Sequence, residues 1–280
     1  MKIKDPNALK TKQLHALVNS ECENGEKKIS FELKISDEYH NYKYTQYMCE
    51  SLNIKETWSN VFYKKKIVLD LLKTSDKTKN KKGFLHKINA ADLNVKIKTF
   101  IPDSYDQEVY NERGVYKVAT KGSVNGFDFG KFHKENNLIK FRNLCLGEIV
   151  YYDGKKKWED AKLNEFQNLK KFIFENKLDN KKNLGKDLPL KKTDDFNTIM
   201  GEFQFANTSR FDSDMQRIFR TKNENDLDLL IYFTSSNYLT SFISGGTVNF
   251  KNSKDSSKKY NDIGTPVVIF GLDMSSIEII

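Results

Sequence analysis

Within one short segment of this 280-residue chain, Glu202 and Gln204 stand two residues apart, with Asp194 and Asp195 just upstream. Two carboxylates and a backbone carbonyl are hard oxygen ligands of the kind that hold Mg²⁺ while leaving it several waters. An ion held that way acidifies a bound water and offsets charge building on a phosphodiester. Glutamine is not a base, but its amide can orient an attacking water. Taken alone, Glu-x-Gln on a strand also fits a solvated sheet face.

The surrounding pattern says which elements carry these groups. Leu188 to Lys192 and Thr198 to Ala206 read as two strands joined by a turn over Asp194, Asp195, Phe196 and Asn197. Side chains alternate along a strand, so Ile199, Gly201, Phe203 and Phe205 share one face, and Met200, Glu202, Gln204 and Ala206 the other. Phe211, Met215, Ile218 and Phe219 then recur at helical spacing, with Ser209 and Asp212 forming a capping box. Asp228 to Thr234 (DLLIYFT) is a continuous apolar run, as for a strand covered on both faces, and Thr265 to Leu272 (TPVVIFGL) is another core strand. Strand, helix and buried strand in this order predict an α/β arrangement with a mixed sheet.

The first half reads as short strands. Lys28 to Ser36 alternates, with Ile29, Phe31, Leu33 and Ile35 on one face. Val95 to Ile101, Val115 to Ala119, Leu138 to Leu144 and Glu148 to Tyr152 are further candidates. Trp58 to Leu72 reads as helical, Lys73 to Gly83 as a lysine-rich loop, and the segment from Trp158 to about Leu178 as an amphipathic helix.

The formal charge of +9, from 47 basic against 38 acidic residues, suits a polyanionic partner such as a phosphate backbone. A coding sequence poor in G and C would also produce this lysine-rich, arginine-poor balance. Cys22, Cys49 and Cys145 show no C-x-x-C pairing, which argues against a disulfide framework or a cysteine zinc site. No apolar run is long enough to span a membrane, and MKIKDPNALKTKQLHAL lacks the apolar region of a secretory signal. A cytoplasmic protein with no small-molecule cofactor is the expectation. His15, His40, His86 and His133 are isolated, and Asp128 with Glu148 is a second acidic pair lacking a Lys or Gln two residues on.

The run Gly201-Glu202-Phe203-Gln204-Phe205-Ala206-Asn207, the helix after it and the strand LLIYFT resemble the core of BglII-type restriction endonucleases, over roughly residues 185–275. These belong to the PD-(D/E)XK nuclease superfamily, in a variant with Glu-x-Gln in place of Glu-x-Lys. The resemblance implies a mixed central sheet flanked by helices, with residues 151–280 as the nuclease core. Residues 1–150 would then be a strand-rich region that embellishes the core or recognises DNA.

It further implies that Glu202 binds metal and that Gln204 replaces the usual lysine. The first metal-binding aspartate would lie about nine residues before the glutamate; that position is Thr193, so Asp194 on a shorter hairpin is the candidate, with Asp195 or Asp187 as alternatives. Asn207 matches a position near the DNA bases, where it can pair with adenine or simply cap a helix. Ser209 and Arg210 on the helix, and Ser236, Asn237 and Tyr238 in the polar loop SSNYLTSFISGG, are candidate DNA contacts. The implied activity is type II restriction: Mg²⁺-dependent cleavage of double-stranded DNA at a short palindromic site by a homodimer. A non-catalytic DNA-binding protein on the same scaffold, or a nicking or repair nuclease, is the alternative.

Overall fold

A computed structural model describes residues 2–3, 6, 9–23, 25, 27–76, 83–112, 115–118, 127–131, 199–205, 212–213, 227, 229–244, 248–258 and 266–280. The expected elements Leu138 to Leu144, Glu148 to Tyr152, 158–178 and Leu188 to Lys192 lie outside them, as does all but Asp212 and Ser213 of the helix after Ser209.

Three parallel neighbours form the middle of the sheet: β9 (Ile199–Phe203), β10 (Leu229–Ser235) and β11 (Val267–Ile279). β10 is buried along its whole length, as its unbroken apolar run requires. Leu229, Ile231 and Phe233 enter the larger core on one face, and Leu230 and Tyr232 a smaller core on the other.

Around this centre the sheet is antiparallel. β2 (Lys28–His40) pairs with β11 and with β3 (Lys66–Asp70), while β1 (Lys2–Ile3) joins the far end of β11. On the other side β8 (Phe127–Lys131) pairs with β9 and with β6 (Asp106–Glu112), which pairs with β7 (Val115–Val118). The nine strands run β3-β2-β11-β10-β9-β8-β6-β7 with β1 beside β11, so the mixed sheet with helices expected from sequence is present. Strands from before and after residue 150 thus share one sheet.

The alternation over Lys28 to Ser36 is borne out, with Ile29, Phe31 and Leu33 buried, although the strand continues to His40. Three expectations are corrected. Val95 to Ile101 is not a strand: α4 (Ala90–Lys98) occupies its first half. Asn89 caps that helix by accepting the Ala91 N–H at 2.8 Å, and Ala90, Leu93 and Ile97 form its buried stripe. Helix does not run through Trp58 to Leu72. α3 (Ile54–Phe62) begins earlier, buries Ile54, Trp58 and Phe62 one turn apart, and gives way to β3. The segment Lys73 to Gly83 is not loop at its ends, because β4 (Leu72–Asp76) and β5 (Gly83–Lys87) pair as a separate antiparallel ribbon, while residues 77–82 between them lie outside the described residues. The periodicity of α1 (Thr11–Glu21) and α2 (Lys43–Ser51) was not among the expected elements.

Trp58 sits at the centre of the larger core, its ring 4.7 Å from Phe129 and 4.8 Å from Phe233, with Phe203 at 5.8 Å. Burying each such ring contributes about 1.5–3 kcal/mol, so this cluster anchors α3 on β8, β9 and β10.

Candidate active site

β9 is covered on both faces. Ile199, Phe203 and Phe205 enter the larger core, whereas Met200 joins Phe127, Tyr232 and Ile269 in the smaller one. The division of the strand into two faces is therefore as expected, but the face bearing Glu202 and Gln204 is not solvated. Glu202 is 8% exposed and Gln204 6%, and both are engaged by neighbours. A carboxylate taken this far from water needs compensation by hydrogen bonds or a cation, so a merely solvated sheet face is excluded. Tyr232 lies beside Glu202 in the parallel register, and the Gln204 N–H donates to the Phe233 carbonyl at 2.8 Å.

Glycine makes room for this arrangement. Gly201 pairs with Phe129, and a Cβ built on it would stand 1.8 Å from Phe129 Cζ. The aromatic ring occupies the space that any side chain would need.

A second carboxylate enters from β8. Regular pairing runs Lys131 with Ile199, Gly130 with Met200 and Phe129 with Gly201. The next main-chain donor on β9, the Phe203 N–H, is taken by Asp128 Oδ2 at 2.7 Å. That amide belongs to the peptide joining Glu202 to Phe203, so Asp128 binds the main chain at the residue after Glu202. Its other oxygen, Oδ1, lies 2.7 Å from Lys98 Nζ, at the last residue of α4. The Asp128 side chain is 12% exposed and that of Lys98 30%.

Asp128 was set aside on sequence grounds, and the structure brings it to the end of the strand that bears Glu202. No local signal marks it, since neither a lysine nor a glutamine follows two residues on. Lys98 and Tyr232 were likewise outside the sequence candidates.

The remaining candidates divide clearly. Asp187, Asp194, Asp195, Asn207, Ser209 and Arg210 lie outside the described residues. Ser236, Asn237 and Tyr238 follow the C-terminal end of β10, but not as an open loop: α5 (Asn237–Phe242) forms there, burying Leu239 and Phe242. Ser236 is buried, and its hydroxyl donates to the Asp37 carboxylate. The Tyr238 hydroxyl donates to the Leu9 carbonyl, and Asn237 is exposed with φ of 40°. The described histidines also serve locally. His15 stacks on Phe242, His40 lies 3.0 Å from Glu38, and His86 contacts Asn19.

Glu202, Gln204 and Ser236 all sit at or just past the C-terminal ends of neighbouring parallel strands, the edge where open α/β sheets bind ligands. Carboxylate and amide oxygens such as these are hard donors of the kind that suit Mg²⁺ retaining waters. Among the described residues no group of three or more His, Cys, Asp or Glu is placed to hold a metal ion. No helix among the described residues is long and apolar enough to cross a membrane.

No protein-family model and no curated protein matches this chain. Among solved structures, it is similar to the restriction endonuclease BglII complexed with a DNA 16-mer, with a TM-score of 0.43 and 11% identity. That alignment covers 84% of this chain and 74% of the other.

Proposed function

We propose that this chain is a Mg²⁺-dependent endonuclease that hydrolyses phosphodiester bonds of double-stranded DNA at a short palindromic site. The observation that carries the reading is the Asp128 carboxylate bound to the peptide that follows Glu202, with Gln204 one residue past the end of β9. The charge of +9 supports a polyanionic substrate.

Glu202 and Asp128 hold the cation through carboxylate oxygens, and Asp194, Asp195 or Asp187 can add a further carboxylate from the segment before β9. Mg²⁺ bound there supplies positive charge against the phosphate and a more acidic water. Gln204 orients the attacking water through its amide, without acting as a base. Asn207, Ser209, Arg210 and Asn237 contact the duplex. A symmetric DNA site calls for two copies of the chain related by a two-fold axis, acting in the cytoplasm.

The test is digestion of a sequenced plasmid with Mg²⁺, comparing wild type with Glu202→Ala. Discrete fragments from the wild type and none from the variant are expected, with DNA affinity largely retained. Absence of cleavage by the wild type, or equal cleavage by both, overturns the reading.

One observation favours a second reading, a DNA-binding protein without catalysis: Lys98 already neutralises Asp128 at 2.7 Å. In that case salt-sensitive DNA binding survives while Mg²⁺ yields no fragments.

A further inference from the structure

The Lys98–Asp128 pair raises a question about charge that the proposed reaction does not answer. Asp128 has both oxygens committed, Oδ2 to the Phe203 N–H and Oδ1 to Lys98 Nζ, each at 2.7 Å. The two commitments differ in kind. The bond to Phe203 substitutes for a rung of the sheet and is part of the β8–β9 pairing. The contact with Lys98 comes from the last turn of a helix, at the end of a long flexible side chain. Lysine is also the more solvated half of the pair, 30% exposed against 12% for the aspartate. The ammonium can therefore leave toward water without disturbing the strands, whereas the carboxylate cannot move without giving up its bond to the Phe203 N–H.

A monovalent ammonium and a divalent cation are alternative partners for one carboxylate oxygen. We propose that Lys98 is the built-in counter-cation of this site: it neutralises Asp128 in the metal-free protein and surrenders Oδ1 to a divalent ion, so that competition with Lys98 sets the metal affinity. This rests on the reading of Asp128 and Glu202 as metal ligands. It differs from a purely structural role at the C-terminal end of α4, where a lysine simply opposes the helix dipole. A structural lysine would stay on Asp128 whatever the ionic composition.

The test is Mn²⁺ binding to the full chain without DNA, with free Mn²⁺ followed by electron paramagnetic resonance. The site under study is the binding class that Asp128→Asn and Glu202→Gln both remove. Removing the competing charge in Lys98→Met should tighten that class about ten-fold, the size expected for a hydrogen bond to a charged group. Lys98→Arg keeps the charge and should stay within about three-fold of wild type on the same scale. A second measurement needs no loss of charge. The ¹⁵N resonance of the Lys98 ammonium, identified by its absence from Lys98→Arg, should shift on saturation with Mg²⁺ in the wild type.

Equal Mn²⁺ affinity in wild type and Lys98→Met, or an unmoved Lys98 resonance at saturation, overturns the counter-cation role and leaves the metal site standing. If no binding class disappears in Asp128→Asn or Glu202→Gln, the metal reading itself fails, and the role of Lys98 falls with it.

Discussion

Asp128 is joined to Phe203 side chain to main chain, its Oδ2 accepting the Phe203 N–H at 2.7 Å where the regular pairing of β8 and β9 stops. The same carboxylate therefore holds the strand and pairs with Lys98. Replacement by alanine leaves a buried N–H without its acceptor and Lys98 without its counter-ion. We expect Asp128→Ala to lose about 2–3 kcal/mol in urea denaturation. Asp128→Asn retains an acceptor oxygen and should lose about 1 kcal/mol or less. Both should abolish cleavage, which separates the structural contribution from the chemical one.

Gly201 and Phe129 predict a steric result beside the site. A side chain at Gly201 meets the Phe129 ring at 1.8 Å, and that ring is locked among Trp58, Phe203 and Tyr105. Gly201→Ala should cost about 2–4 kcal/mol and impair cleavage through its neighbour Glu202. Gly130→Ala is the milder companion. The nearest atom there is Met200 Sδ at 2.4 Å, but it lies near the end of a flexible side chain, so a loss of about 1 kcal/mol is expected. Thermal and urea melts followed by circular dichroism check both.

Acid should weaken the fold through β2. Glu38 lies 3.0 Å from His40 and 2.7 Å from Lys55, and these partners, His40 foremost, hold its carboxyl at about 2, below the ordinary 4.5. A depressed carboxylate pKa stabilises the folded state fully above the ordinary value and loses that stabilisation as pH falls from about 4.5 toward 2. Glu38→Gln should flatten the stability profile in that window. It should also cost about 1–2 kcal/mol at pH 7, allowing for partial exposure of the pair with Lys55. Urea midpoints measured from pH 7 down to 3 decide it.

DNA affinity should be electrostatic and separable from cleavage. For about four phosphate contacts, fluorescence anisotropy should show binding weakening about a hundred-fold between 50 and 200 mM salt. Glu202→Gln should follow the same salt dependence while failing to cut. A flat salt profile would make the charge of +9 a reflection of base composition instead.

Much of the central sheet was legible because its residues report their own burial. The unbroken run of β10 and the alternation in β2 and β9 follow from what lies on each face, whatever the rest of the chain does. Segments with mixed signals were harder. Val95 to Ile101 contains the β-branched alternation of a strand, but the Asn89 cap and the Ala90, Leu93 and Ile97 stripe place its start within a helix. The polar run after Ser235 hides Leu239 and Phe242, two core residues three apart on a helix of six residues. Glu202 and Gln204 were visible because they sit two apart on one strand. Asp128 and Lys98 were not, since strand pairing and helix docking bring them in from far along the chain. Short spacing carries no trace of such contacts.

The double-sided packing of β9 also governs alignment. Displacing the strand by a single position against its neighbours would swap the two sets of side chains, thrusting Glu202 among the rings of Trp58 and Phe233 and pushing Phe203 out of them. Stranding an anion in an aromatic interior, away from the neighbours that engage it, is so unfavourable that the correct pairing is enforced by the burial of charge. The acid thus acts as a proofreader of its own strand, and substitutions that neutralise it should loosen the choice of partner positions as well as remove a ligand.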